Sequence, residues 1–84
     1  MNRQSINEDV AITSLSFRED FTTFPQRMQY RGQAYTFQNG LQYLIKRGES
    51  VTRIFDMTDG QANYRLKCDA DQRIWTLVAI SHCA

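Results

Sequence analysis

Residues 51–68 read VTRIFDMTDGQANYRLKC and contain the clearest structural signal in the sequence. Asp59-Gly60 is among the strongest short signals for a β-hairpin, because glycine accepts the positive φ that a tight turn requires. A two-residue turn pairs the flanking residues in the order Met57–Ala62, Phe55–Tyr64, Arg53–Leu66 and Val51–Cys68. Apart from Arg53, these residues form one apolar face. The stretch therefore predicts two antiparallel strands with one face against a core.

The segment from Arg73 to Ile80 predicts a further strand, and it is apolar on both sides. Its odd positions, Trp75, Leu77 and Ala79, extend the apolar face of the hairpin. Its even positions are Ile74, Thr76, Val78 and Ile80. We therefore expect the odd positions to point inward and the even ones to lie on an outer face.

The segment from Pro25 to Phe37 predicts another hairpin, with Arg31-Gly32 as its turn. This turn sets Met28 opposite Tyr35 and Tyr30 opposite Gln33. Apolar and aromatic residues then share one face, which is independent support for the register.

Between the hairpins, the spacing of Leu41, Leu44 and Ile45 predicts a short helix over residues 40–47. Asn39 suits its N-cap and Gly48 its C-terminal stop. About eight residues do not form a stable helix alone, so this helix is expected to pack on the sheet.

The predicted fold is therefore α+β, an antiparallel sheet of about five strands in β-β-α-β-β-β order with one short helix on one face. Residues 1–14 are expected to be a flexible N-terminal tail, 15–80 a single domain and 81–84 a frayed C-terminus. Val10, Ile12, Leu15 and Phe17 alternate, which leaves an edge strand as the other interpretation of the N-terminal segment.

Composition excludes several classes of protein. The chain has 84 residues, of which 42% are hydrophobic and 23% charged, as is typical of one globular domain. A net charge of +1 is far from that of a polybasic protein. No signal peptide or transmembrane helix is apparent, so the expected location is cytoplasmic and no membrane partner is expected.

No catalytic constellation is apparent, and we predict a protein that is not an enzyme and takes no cofactor, metal or small-molecule substrate. His82, the only histidine, is third from the end of the chain, where little would hold a general base in place. Asp69 and Asp71 form a DxD pair, but a hard cation needs three or more converging ligands. Cys68 and Cys83 are expected to be thiols in a reducing compartment, and the alternative is a disulfide between them or one between chains through Cys83.

The two-sided last strand indicates a protein interface. Ile74, Val78 and Ile80, with Ile54 nearby, predict an apolar outer patch, and monomers seldom leave a large patch bare. The segment Val10–Phe17, a second copy of the chain or a different protein could cover it. We predict a protein-interaction module, with a homodimer as one form of it.

The basic residues support an alternative. Residues 27–53 carry five cations and one carboxylate, and Arg65 and Lys67 add to them. A nucleic-acid-binding face would comprise Arg27, Arg31, Arg47, Arg65 and Lys67. The predicted registers place nearly all aromatic rings inside, which leaves Tyr43 as the ring best placed for stacking on bases.

Overall fold

A computed structural model describes residues 2–69 and 74–82, and within them the chain forms seven strands and no helix. The strands are β1 Asn2–Phe17, β2 Thr23–Tyr30, β3 Gln33–Thr36, β4 Asn39–Arg47, β5 Ser50–Thr58, β6 Ala62–Asp69 and β7 Trp75–His82. They form one antiparallel sheet in the order β3-β2-β1-β7-β6-β5-β4. Because the described part holds no helix, it contains none long and apolar enough to cross a membrane.

The predicted α+β fold with five strands is wrong, because residues 40–47 are a strand. β4 pairs with β5 at nine consecutive positions, from Asn39 opposite Thr58 to Arg47 opposite Ser50. Leu41, Tyr43 and Ile45 also follow the period of two that is typical of a strand. Leu41 and Ile45 therefore fit both the helical and the strand pattern. A segment this short gains more from backbone pairing along β5 than from an isolated helix.

The expected flexible tail over residues 1–14 is also wrong, because residues 2–17 form a central strand. The first half of β1 pairs with β7, from Asn2 opposite His82 to Val10 opposite Trp75. The second half, from Ala11, pairs with β2. Register shifts interrupt β1 on both sides, and such irregularities bend a strand. The expected frayed end at residues 81–84 starts too early, since β7 runs to His82; residues 83 and 84 lie outside the described part.

The sheet folds over on itself around an aromatic core. β2 and β5 are four strand spacings apart, about 19 Å in a flat sheet. Yet the rings of Phe24 and Phe55 meet at 5.6 Å between centroids, nearly perpendicular. Phe55 also contacts Trp75 at 5.2 Å. The β1–β2–β3 part therefore packs onto the part formed by the other strands, as in sheets whose strands pass from one layer to the other.

The predicted register is correct in one hairpin and differs from the structure in the other. In the β2–β3 hairpin the predicted register is confirmed, with Met28 opposite Tyr35. In the β5–β6 hairpin the true register differs by two residues, with Met57 opposite Tyr64. The Asp59 carboxylate explains the wider turn, because one of its oxygens accepts hydrogen bonds from the backbone N–H of Gln61 and Ala62, both at 2.9 Å. A shift of two keeps each side chain on its predicted face.

A bulge in β7 makes the predicted alternation correct for the first part of the strand and wrong for the residues after Val78. Leu77 is opposite Leu66, but Ile80 rather than Ala79 is opposite Tyr64, which leaves Val78 as the extra residue. Trp75 and Leu77 therefore face the core as predicted, whereas Ile80 also belongs to the core cluster. An extra residue in one strand reverses the side of every residue that follows.

Candidate interaction surface

β4 is the exposed edge of the sheet. Within the described residues it pairs with β5 only, whereas the opposite edge, β3, is just four residues long. A short edge strand offers little to another chain, but a regular strand of nine residues presents a row of backbone groups for pairing. Of the two edges, the one at β4 is thus better suited to pairing with a further strand.

The exposed hydrophobic residues concentrate at this edge. Phe17, Leu15 and Ile74 lie elsewhere in the described chain. The five others lie on β4 or in the turn before β2: Phe21, Leu41, Tyr43, Leu44 and Ile45. Small proteins usually avoid a cluster of this kind unless it binds something.

Three of these side chains form a stripe on the outer face, the face of β4–β7 that is turned away from the core. We call Leu41, Tyr43 and Ile45 the outer stripe. In the neighbouring strand Tyr43 is opposite Ile54, and Leu41 is opposite Asp56. Leu44, by contrast, is opposite Arg53 and lies on the inner side of the edge.

A shallow groove of about 530 Å³ continues the outer stripe across the sheet. Its apolar lining comes from Tyr43, Ile45, Ile54 and Val78, and its polar lining from Arg3, Asn7, Arg65 and Lys67. Val78, the extra residue of the β7 bulge, lies here, opposite an irregularity of β1 at which Asn7 has a positive φ of 56°. The groove is therefore an apolar floor bordered by cations.

The predicted interface residues do not all lie on the same surface in the structure. Ile54 and Val78 both line the groove. Ile74 is exposed but lies just before β7 and does not line the groove. Ile80 is 8% exposed and belongs to the core, so its assignment to the interface is wrong. The outer stripe is absent from the predicted interface because residues 40–47 were predicted to form a helix.

The predicted nucleic-acid residues do not form one face. Arg65 and Lys67 line the groove, and Arg47 ends β4. Arg27 lies in β2, in the other layer. Arg31 is in the β2–β3 turn, where its guanidinium binds Glu8 at 2.7 Å. The basic residues are therefore spread over two parts of the molecule.

Arg65 is held in place by Asp56. Its Nε and Nη2 donate to the two carboxylate oxygens at 2.7 and 2.8 Å, a two-pronged contact between neighbouring strands. This hydrogen bonding raises the pKa of Arg65 above its usual range. A guanidinium fixed in this way keeps its charge at the groove but has one carboxylate already bound.

The turn before β2 lies against the start of β4. Nη2 of Arg18 is 3.3 Å from both the Asn39 side-chain oxygen and the Gly40 carbonyl oxygen. Next to it, the hydroxyl and the N–H of Thr22 donate to Asp20, which lowers the pKa of that carboxyl. Phe21 shares a hollow of about 340 Å³ with Gln42, Leu44 and residues beside them.

Metal ligands do not cluster in the described part of the chain, where no group of three His, Cys, Asp or Glu converges. Asp71 of the DxD pair lies outside the described residues. His82 is an exposed residue at the end of β7. The expectations that the protein takes no metal or cofactor and is not an enzyme stay predictions.

The chain matches no known family model, and comparison with curated proteins and with solved structures yields no significant similarity. The geometry of the surface around β4 is therefore the basis for a functional hypothesis.

Proposed function

We propose that this protein is a non-enzymatic interaction module that binds another polypeptide along β4. The partner adds a strand to the free edge and covers the outer stripe. One observation carries the proposal: a regular edge strand of nine residues that exposes four large hydrophobic side chains. Strand addition of this kind uses backbone hydrogen bonds for affinity and alternate side chains for specificity.

The groove adds specificity beside the edge. A strand paired with β4 projects every second side chain onto the outer face, next to the outer stripe. Longer side chains or a neighbouring segment of the partner then reach Ile54 and Val78. The cations at the border of the groove, Arg3 and Lys67, favour carboxylates there.

A peptide-display selection tests this proposal. We expect selected peptides to bind the wild-type protein, and to bind the Tyr43→Lys variant at least about tenfold more weakly. The matched control is Leu15→Lys, since Leu15 is 47% exposed and Tyr43 46%, but Leu15 lies in β1 opposite Pro25. The selection is done at protein concentrations low enough to avoid self-association. Peptides that bind both variants equally, or no peptides at all, would refute the proposal.

Nucleic-acid binding is the second candidate, supported by an exposed aromatic ring that borders the cations of the groove. Tyr43 lies there together with Arg3, Arg65 and Lys67. For such a site, we expect a single-stranded oligonucleotide to bind at low salt, with an affinity that decreases steeply as the salt concentration rises. Lys67→Glu is expected to weaken this binding, and Arg27→Glu, in the other layer, to leave it unchanged. An absence of binding at low salt would exclude this candidate.

A further inference from the structure

We infer that the polypeptide bound along β4 is a second copy of this chain, joined by antiparallel pairing of the two β4 strands about a two-fold axis at Tyr43. This inference rests on the proposed function and specifies its partner. A symmetric dimer uses the same patch on both copies, so the patch must be complementary to itself. The sequence and surroundings of β4 meet this condition in four respects.

First, the free part of the edge is centred on Tyr43. At one end, Arg18 donates to the Gly40 carbonyl oxygen. At the other end, the strand closes with Lys46 and Arg47. The five residues between them, 41–45, have no charge and no proline, and they pair with β5 without a register shift. Charges, prolines and bulges are the usual devices that protect an edge, and this segment lacks all three.

Second, pairing about Tyr43 matches apolar residues on the outer face. Leu41 of each copy comes opposite Ile45 of the other, and the two Tyr43 rings are opposite each other. Directly opposed side chains in antiparallel strands lie about 4.5–5.5 Å apart at Cβ, so these pairs are in contact. The two outer stripes join into one continuous apolar band. A slip by one residue would set an outer residue opposite an inner one and break this match.

Third, the inner side of the edge offers a place for Leu44. In the same register, Leu44 of one copy comes opposite Gln42 of the other. Gln42 lines the hollow that also contains Phe21, whose side chain is 90% exposed. Leu44 is therefore directed toward an exposed aromatic ring of the second copy. This contact explains why the edge is apolar on both faces.

Fourth, the charges at the two ends are complementary. Lys46 and Arg47 come opposite Gly40 and Asn39 of the second copy. The turn that carries Glu19 and Asp20 lies at that end of β4, because Arg18 binds Asn39 and Gly40. Two cations of each copy thus approach a turn of the other that carries two carboxylates and one cation, Arg18, and is therefore acidic overall. The two Lys46 side chains, six positions apart along the pairing, are about 20 Å from each other and do not repel appreciably at physiological salt.

Sedimentation equilibrium tests the inference on the full chain from about 1 µM to about 1 mM, a range that spans weak and moderate affinities. We expect the mass to rise with concentration from 9.8 kDa toward twice that value. Tyr43→Lys and Leu44→Lys are expected to keep the protein monomeric throughout, while Leu15→Lys dimerises like the wild type. Circular dichroism establishes that each variant is folded, and the two β4 variants act on opposite faces of the strand.

Charge exchange provides the specific test of register. Lys46→Glu is expected to weaken the dimer several-fold, and adding Glu19→Lys to restore it, because the pair is exchanged across the interface. A wild type that stays monomeric over the whole range would overturn the inference, as would a dimer that persists in both β4 variants. If the monomer still selects peptides that require Tyr43, the proposed function stands; if it selects none, the proposed function falls too.

Discussion

Replacing Gly40 with alanine should destabilise the protein, although the same change in an ordinary strand is stabilising. Gly40 lies opposite Met57, a residue that is 3% exposed. A Cβ at position 40 would overlap the Met57 sulfur and lie 2.8 Å from the Asp56 carbonyl oxygen. The thioether can move, but the backbone oxygen of the paired strand cannot move without loosening β4.

The magnitude follows from two opposing effects. Overpacking a core position costs about 1–3 kcal/mol. Alanine loses less conformational entropy than glycine on folding, which offsets about 0.5–1 kcal/mol. We therefore expect a net loss of about 0–2.5 kcal/mol, centred at about 1 kcal/mol, in the free energy of unfolding. For a chain of this size, each kcal/mol corresponds to a decrease of roughly 4–8 °C in the melting temperature.

Urea unfolding of a double-mutant cycle separates the clash from other effects. Met57→Ala empties the space over Gly40, so Gly40→Ala should lower the free energy of unfolding less in that background. The part of the cost that remains comes from the Asp56 carbonyl oxygen. Gly32→Ala is the control, since its φ of +76° makes alanine strained while no atom lies within 4 Å. Its cost should be the same in both backgrounds. A stabilising Gly40→Ala, or equal costs of Gly40→Ala with and without the Met57 side chain, would show that Met57 does not limit the space at position 40.

Three further predictions concern the sheet that carries the surface. Leu66→Ala should lower the free energy of unfolding by about 2–5 kcal/mol, because Leu66 is completely buried; a smaller loss in urea unfolding would contradict the described core. Burial raises the pKa of Asp59, but hydrogen bonds from Gln61, Tyr64 and Ala62 outweigh it and lower that pKa. The ionised Asp59 carboxylate thus stabilises the fold above its unfolded pKa, and this stabilisation is lost as pH falls through the lowered pKa of the folded state. In Asp59→Asn, the urea midpoint of unfolding should therefore decrease less steeply as the pH becomes acidic. Asp56→Ala should cost about 0.5–1 kcal/mol, since the pair with Arg65 is partly exposed, and the cost should shrink in high salt.

The hairpins could be predicted from the sequence because their signals are local. Gly32 and Gly60 have positive φ values, as the turn residues indicate. In the β2–β3 hairpin the turn also fixed the register. In the β5–β6 hairpin it did not, since the register depends on how many N–H groups the Asp59 carboxylate captures, which dipeptide preferences do not show.

The strands β1 and β4 could not be assigned in this way because their structure depends on distant neighbours. The first half of β1 gains its hydrogen bonds from β7, more than 60 residues away along the chain. β4 has a pattern that fits both a helix and a strand, and only the pairing with β5 decides between them. Local propensity carries no information about either partner.

The residues predicted to form one patch are separated in the structure for a similar reason. Ile54 and Val78 belong to the groove because strict alternation holds up to the bulge in β7. Beyond it, Ile80 turns inward. A bulge is set by the fit of β7 between β1 and β6, so alternation within one strand does not reveal it. The outer stripe on β4 was present in the sequence as the alternation of Leu41, Tyr43 and Ile45.

The adjacency of β1 and β7 has a consequence for the order in which the molecule assembles. During synthesis the ribosome releases β1 first, but one of its two neighbours emerges only after all the other strands. Until then, half of β1 has an unsatisfied backbone edge, and folding depends on contacts of high sequence separation, which form slowly. A circular permutant that links residues 82 and 2 and opens the chain between β3 and β4, two strands that do not pair, should fold faster, because it makes this remote pairing local and keeps every hairpin of the described sheet.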